Sequence, residues 1–135
     1  MKIERIMFIK PGRRFNRIGF GQPLGLLTLI SVLRHRFPGK YEIDYIEQAL
    51  YDLTTEDVRK RFKTFDPDLV GFSAMSIEAS EMEDLAQMIK KEKPSCITVL
   101  GGPHASVFYD WALESGNIDF VVIGELSLIH ISEPT

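Results

Sequence analysis

The feature that most constrains this chain is a row of short apolar runs, each closed by chain-breaking or small residues, with amphipathic stretches between them. The runs read as strands at about 3 to 9, 41 to 46, 68 to 73, 96 to 100 and 119 to 123. Helices are expected between them at about 23 to 36, 55 to 65, 79 to 92 and 106 to 115. Alternation of this kind calls for crossover helices on both faces of the sheet. It predicts an α/β fold with a doubly wound, five-stranded parallel sheet and right-handed crossovers. A fifth helix would lie beyond Glu125.

The helical stripes read as core. Met82, Leu85, Ala86 and Ile89 recur on one face, with Glu81, Asp84, Lys90 and Lys91 on the other, and Ser80 and Glu83 are spaced as a capping box. Val58, Phe62 and Phe65 form a second stripe, stopped by Asp66-Pro67-Asp68. Phe108, Trp111 and Ala112 form a third, stopped by Gly116-Asn117. The first helix, Leu24 to Arg36, is apolar nearly all round, which predicts cover from the sheet and from a partner domain as well. His35 belongs to its solvated end.

Bulk properties remove several function classes. A net charge of −3 gives no global basic field for nucleic acid, although Lys10, Arg13, Arg14 and Arg17 are a local basic cluster. No apolar stretch reaches the ~18 residues of a membrane span, and Met1-Lys2-Ile3-Glu4-Arg5 is not a signal peptide, so a cytoplasmic protein is expected. The single Cys96 excludes a disulfide framework and a cysteine-ligated cluster within the chain, and reads as a small buried hydrophobe.

In an open parallel sheet, ligands sit outside the carboxyl ends of the strands. The loops expected there are Lys10 to Gln22, Ser73-Ala74-Met75-Ser76, Gly101 to Ser106, and Gly124-Glu125. They carry little side-chain bulk, so their donors are backbone N–H groups and hydroxyls beside helix N-termini. A large flat or phosphate-bearing ligand with a long tail suits such a rim. No P-loop is present, and Gly19-Phe20-Gly21 is displaced from the strand end and lacks the third glycine of a dinucleotide fingerprint. A receiver's acidic pair is replaced by Lys10-Pro11 and its phosphorylatable aspartate by Ser73-Ala74. With His35, His104 and His130 as the only histidines, no hydrolytic constellation emerges.

Four segments taken together carry a family resemblance: Gln22-Pro23-Leu24-Gly25-Leu26-Leu27, Asp66-Pro67-Asp68-Leu69-Val70-Gly71-Phe72-Ser73, Val99-Leu100-Gly101-Gly102-Pro103-His104-Ala105-Ser106 and Ile118-Asp119-Phe120-Val121-Val122-Ile123-Gly124-Glu125. They resemble the N-terminal cobalamin-binding domain of B12-dependent radical SAM enzymes. The resemblance implies a flavodoxin-like, Rossmann-type fold and a cobalamin site formed by Pro23, Gly25, Leu26, Ser73, Ala74, Met75, Ser76, Gly101, Gly102, Pro103, His104, Gly124 and Glu125. Cobalamin mutases and methionine synthase carry Asp-x-His-x-x-Gly after the first strand, but the stretch Lys10 to Gln22 has no Asp and no His. The implied state is therefore base-off, without a protein histidine on cobalt. His104 is the one histidine on the ligand rim.

The resemblance also implies a partner domain of the same protein, a radical SAM barrel with Cys-x-x-x-Cys-x-x-Cys. That domain would hold S-adenosylmethionine and a 4Fe-4S cluster and serve a methyltransferase or a tetrapyrrole-type cyclase, so the present chain is expected to be catalytically silent alone. Other readings of the same rim are a non-enzymatic flavodoxin-like ligand-sensing or interaction domain and, on Gly19-Phe20-Gly21, a nucleotide-dependent oxidoreductase domain. Residues 1–125 are expected to form the cobalamin-binding domain. Leu126 to Thr135 is the translation of CTG TCT CTT ATA CAC ATC TCC GAG CCC ACG, which resembles a transposase-type sequencing adapter, so 126–135 is expected to be a non-native tail.

Overall fold

The computed structural model describes residues 2–12, 24–73, 79–101 and 105–122, with the backbone alone for 24–28 and 105–109. Five strands and four helices alternate: β1 (Arg5–Lys10), α1 (Leu24–Arg36), β2 (Glu42–Glu47), α2 (Thr55–Phe65), β3 (Leu69–Ser73), α3 (Ala79–Glu92), β4 (Ile97–Gly101), α4 (Ala105–Glu114) and β5 (Phe120–Val121). The strands form one parallel sheet in the order β2-β1-β3-β4-β5. This is the flavodoxin-like order expected from the sequence. Each element lies within a few residues of its expected place, and β5 is the shortest. No described helix is long and apolar enough to cross a membrane.

Strand alternation assigns the two faces. Met7, Ile9, Ile46, Val70, Phe72 and Leu100 point to the side where Val58 and Phe62 of α2, Met82, Leu85, Ala86 and Ile89 of α3, and Ala112 of α4 pack. All are essentially water-free, and this is the main core. Ile6 and Phe8 point the other way, onto Ile30 of α1, with Leu29, Leu33, Tyr45 and Leu69 around them. On this α1 side Phe8 pairs with Gly71 in register. A Cβ at Gly71 would come within 3.0 Å of the Phe8 ring, so the missing side chain is what lets the ring lie across β3.

Local chemistry sets the helix ends. Thr54 caps α2: its hydroxyl accepts from the Asp57 amide at 3.0 Å, and the Asp57 carboxylate accepts from the Thr54 amide at 2.9 Å. Asp66 ends the helix in a left-handed conformation at φ 52°, ahead of Pro67. The capping box read at Ser80 and Glu83 is not formed. The helix already begins at Ala79, and Glu83 Oε1 instead accepts from Asn117 Nδ2 at 2.7 Å, linking α3 to the chain before β5. Trp111, read as core, is 46 % exposed, at the narrow β5 margin of the sheet, where Ala112 beside it is fully buried. Cys96 is buried just before β4, and burial pushes its thiol up to about 11.

The amino edge of the sheet is tied by charged groups. Asp68 accepts from the Glu4 and Arg5 amides at 2.8 and 3.0 Å, and Lys93 binds Asp66 at 3.0 Å. Asp119 accepts from Lys90 Nζ at 2.6 Å and from the Thr98 amide at 2.9 Å. The Arg5 and Glu4 amides hold the Asp68 carboxyl below its ordinary range. Burial works to raise Asp119, but Lys90 and the Thr98 bonds outweigh it and the net direction is down. A carboxyl depressed in the folded state contributes stability above its unfolded pKa of about 3.9 and loses it as pH falls through the folded value. Urea denaturation at pH 7 and pH 3 is therefore expected to show an acid loss for the wild type. Asp119→Asn should be less stable at pH 7 and lose less on acidification. A variant with the wild-type pH slope would remove Asp119 from this account.

Candidate functional site at the carboxyl rim

The order of the sheet locates its opening. The chain turns back between β1 and β3, whose outer neighbours are β2 on one side and β4 on the other, and this switch point is where a doubly wound sheet parts at its carboxyl edge. Register fixes the row that borders it. Lys10 pairs with Glu47, Ile9 with Phe72, and Ser73 with Gly101, so Glu47, Lys10, Ser73 and Gly101 end four adjacent strands side by side on the α1 face. Directly beneath lies the row Tyr45, Phe8, Gly71, Val99 and Phe120.

This rim is uneven in bulk. On the β2 side, the Tyr45 hydroxyl donates to Glu47, and burial, then that bond and the Glu47 charge, push the phenol well above its usual range. Tyr45 is thus a fixed neutral donor. On the β4 side the described strand ends carry little bulk: a Cβ built at Gly101 meets no described residue within 4 Å, and Ser73 beside it is half-buried. Beyond α1 the same face stays open, with Val99 partly exposed and Phe120 52 % exposed. Among the described residues, the strand ends over β3 and β4 present main chain, one hydroxyl and apolar surface.

Of the residues proposed from the sequence, Ser73 and Gly101 are brought together in register. Gly25 and Leu26 lie in the first turn of α1. Pro23, Ala74, Met75, Ser76, Gly102, Pro103, His104, Gly124 and Glu125 lie outside the described residues, as do Arg13, Arg14 and Arg17. Lys10 stands at the rim, and His35 is exposed at the far end of α1.

Sequence reasoning passed over the loop after β2. Gln48 is buried there, bonded to Gly12 and to Leu53, and Leu50 and Tyr51 beside it are 45 % and 69 % exposed. A polar residue one place past a strand carries no motif, and the partner that gives it meaning is far away in sequence.

Among the described residues no group of three or more His, Cys, Asp or Glu could hold a metal ion. A hollow of about 590 Å³ lies at the opposite, amino edge, with Lys2, Arg5, Lys40 and Tyr41 in its wall. Glu4 and Glu42 line it too, offsetting its cations, and it has no connection with the carboxyl rim.

Comparison with known proteins agrees with the geometry. Residues 15–128 match the B12 binding domain family. The chain is 32 % identical, over 93 % of its length, to an uncharacterized methyltransferase of Pyrococcus horikoshii, spanning 28 % of that protein. It is 31 % identical over 73 % of its length to the cytidylyl-2-hydroxyethylphosphonate methyltransferase of Streptomyces wedmorensis, spanning 19 % of it. It is 33 % identical over 64 % of its length to the anaerobic magnesium-protoporphyrin IX monomethyl ester cyclase of Rubrivivax gelatinosus, spanning 16 % of it. The chain thus spans between about a sixth and just over a quarter of these relatives. With the match covering most of its residues and the parallel sheet opening where such a ligand would enter, this chain belongs to the B12-binding domain family.

Proposed function

We propose that this chain is the cobalamin-holding module of a larger B12-dependent radical SAM enzyme, a methyltransferase or a tetrapyrrole-type cyclase. The observation that carries the reading is the pairing of two small residues, Ser73 and Gly101, that end β3 and β4 side by side, with no described residue within 4 Å of a Cβ on Gly101. The residues present fit the group: a corrin's nucleotide tail needs a side-chain-free passage at the strand ends and donors that do not compete for its space. Bound cobalamin supplies a cobalt centre able to carry and deliver a methyl group. The chain's own part is to bind, orient and shield it.

In this reading Ser73 and the main chain around Gly101 hold the tail, with Pro23, Gly25, Leu26, Ala74, Met75, Ser76, Gly102, Pro103, His104, Gly124 and Glu125 completing the site. The cofactor is held base-off, because the chain between Lys10 and Gln22 has no histidine to offer. S-adenosylmethionine and a 4Fe-4S cluster belong to a separate domain of the full-length protein. Residues 1–125 constitute the module and 126–135 the adapter-derived tail, a division that rests on the adapter-like sequence of Leu126 to Thr135. The names of the relatives, two methyltransferases and a cyclase, support the choice of reaction class.

Titration with hydroxocobalamin followed by gel filtration tests the reading. Retained corrin with a base-off absorbance spectrum is expected. A folded chain that lets all corrin pass would overturn it. For the full-length protein, a sequence downstream of Glu125 without Cys-x-x-x-Cys-x-x-Cys would overturn the radical SAM assignment alone.

A further inference from the structure

We propose that Gln48 is a positioning residue for the carboxyl rim, holding the exit of β1 in the place that cofactor binding requires. The inference rests on the cobalamin reading above. Gln48 sits one residue past β2, 5 % exposed, and makes four bonds there, one of them through its carbonyl, which accepts from the Leu53 amide at 2.9 Å. Its amide donates to Lys10 O at 3.0 Å, its Oε1 accepts from the Gly12 amide at 2.9 Å, and its Nε2 donates to Leu53 O at 3.1 Å. The partners leave no ambiguity about which end of the carboxamide is which, since an N–H requires the oxygen and a carbonyl requires the nitrogen.

A neutral planar group with an acceptor on one side and a donor on the other is what this position needs. Glutamate keeps the acceptor for Gly12 but loses the donor for Leu53, and methionine of similar length loses both. The residue so held has backbone that favours glycine, with Gly12 at φ 143° and buried with Pro11. Among the described residues Gln48 and Thr98 are the only buried polar ones, and Thr98 serves the amino edge. Gln48 therefore concentrates buried hydrogen bonding at the exit of β1, one of the two strands that flank the parting, Ser73 ending the other. Without it Gly12 N–H and Leu53 O would be orphaned, and a segment that moves to find water no longer borders the opening in the same way.

The test compares the 135-residue wild-type chain with Gln48→Met and Gln48→Glu, reading hydroxocobalamin affinity and hydrogen exchange at the Gly12 amide. Gln48→Met is expected to unprotect Gly12 and weaken binding by about tenfold or more. Gln48→Glu, which retains the Gly12 acceptor, should keep that amide protected and bind within about threefold of wild type. Affinity that tracks Gly12 protection across the three chains, while core-strand amides such as Phe72 stay equally protected in all three, supports the inference; the matched core protection sets it apart from loss of general stability. Folded Gln48→Met with wild-type affinity overturns it. If Gln48→Met does not fold, Gln48→Glu decides: weak binding with Gly12 still protected overturns it, and near-wild-type binding with Gly12 protected supports it. A wild-type chain that retains no corrin fails the cobalamin reading itself, and this inference with it.

Discussion

Gly101→Phe is expected to abolish cobalamin retention while leaving the sheet folded. The two halves of this outcome follow from one observation: the space in which a Cβ at Gly101 would stand holds no described residue within 4 Å. Gly101 is a strand residue without the positive φ that makes other glycines irreplaceable, so a Cβ there brings neither backbone strain nor a clash with a described residue. What it obstructs is the entry over β3 and β4. Affinity for hydroxocobalamin should fall by about a hundredfold or more, equivalent to roughly 3 kcal/mol, with the urea midpoint within experimental spread of wild type. Unaltered corrin binding by Gly101→Phe would show that the ligand does not pass this point of the rim.

Phe72→Ala is expected to be the most destabilising single change on the sheet. Ile9, Phe72 and Leu100 stand in register across the three central strands, each at most 2 % exposed, and together form the layer of the main core just under the rim. Removing the ring leaves a cavity that rigid neighbouring strands cannot collapse into, at a cost of about 3–5 kcal/mol. That is a large share of the roughly 5–15 kcal/mol that holds a domain folded. Urea denaturation reads the loss directly. A loss below about 1 kcal/mol would mean that the layer repacks and that the core is less tightly determined than its burial indicates.

How much of this was legible in the sequence depended on whether a residue's role is local. The periodicity of Met82, Leu85, Ala86 and Ile89 describes α3 correctly because the core-facing stripe of a helix is a property of the helix itself. Asp66-Pro67 ended α2 as read, for the same reason. Ser80 and Glu83 misled because a three-residue spacing cannot reveal that Asn117, distant in sequence, takes the Glu83 oxygen. Trp111 misled because it lies at the narrow β5 margin of the sheet, a place that helical spacing does not reveal. The rim was partly legible: glycine and serine after apolar runs pointed to Ser73 and Gly101, and the register then showed them as neighbours. Gln48 was not, since only folding brings it to Gly12.

Several ionic ties among the described residues gather at the amino edge of the sheet, and the proposed ligand passage opens at the other. Asp68 with the Glu4 and Arg5 amides, and Asp119 with Lys90 and Thr98, fasten the strands where they begin, a strand's length from where the opening lies. Endurance and recognition are thereby housed separately. Mutations that strengthen or relax the fastened end can accumulate, or be engineered for heat and acid resistance, without redrawing the doorway through which a cofactor enters.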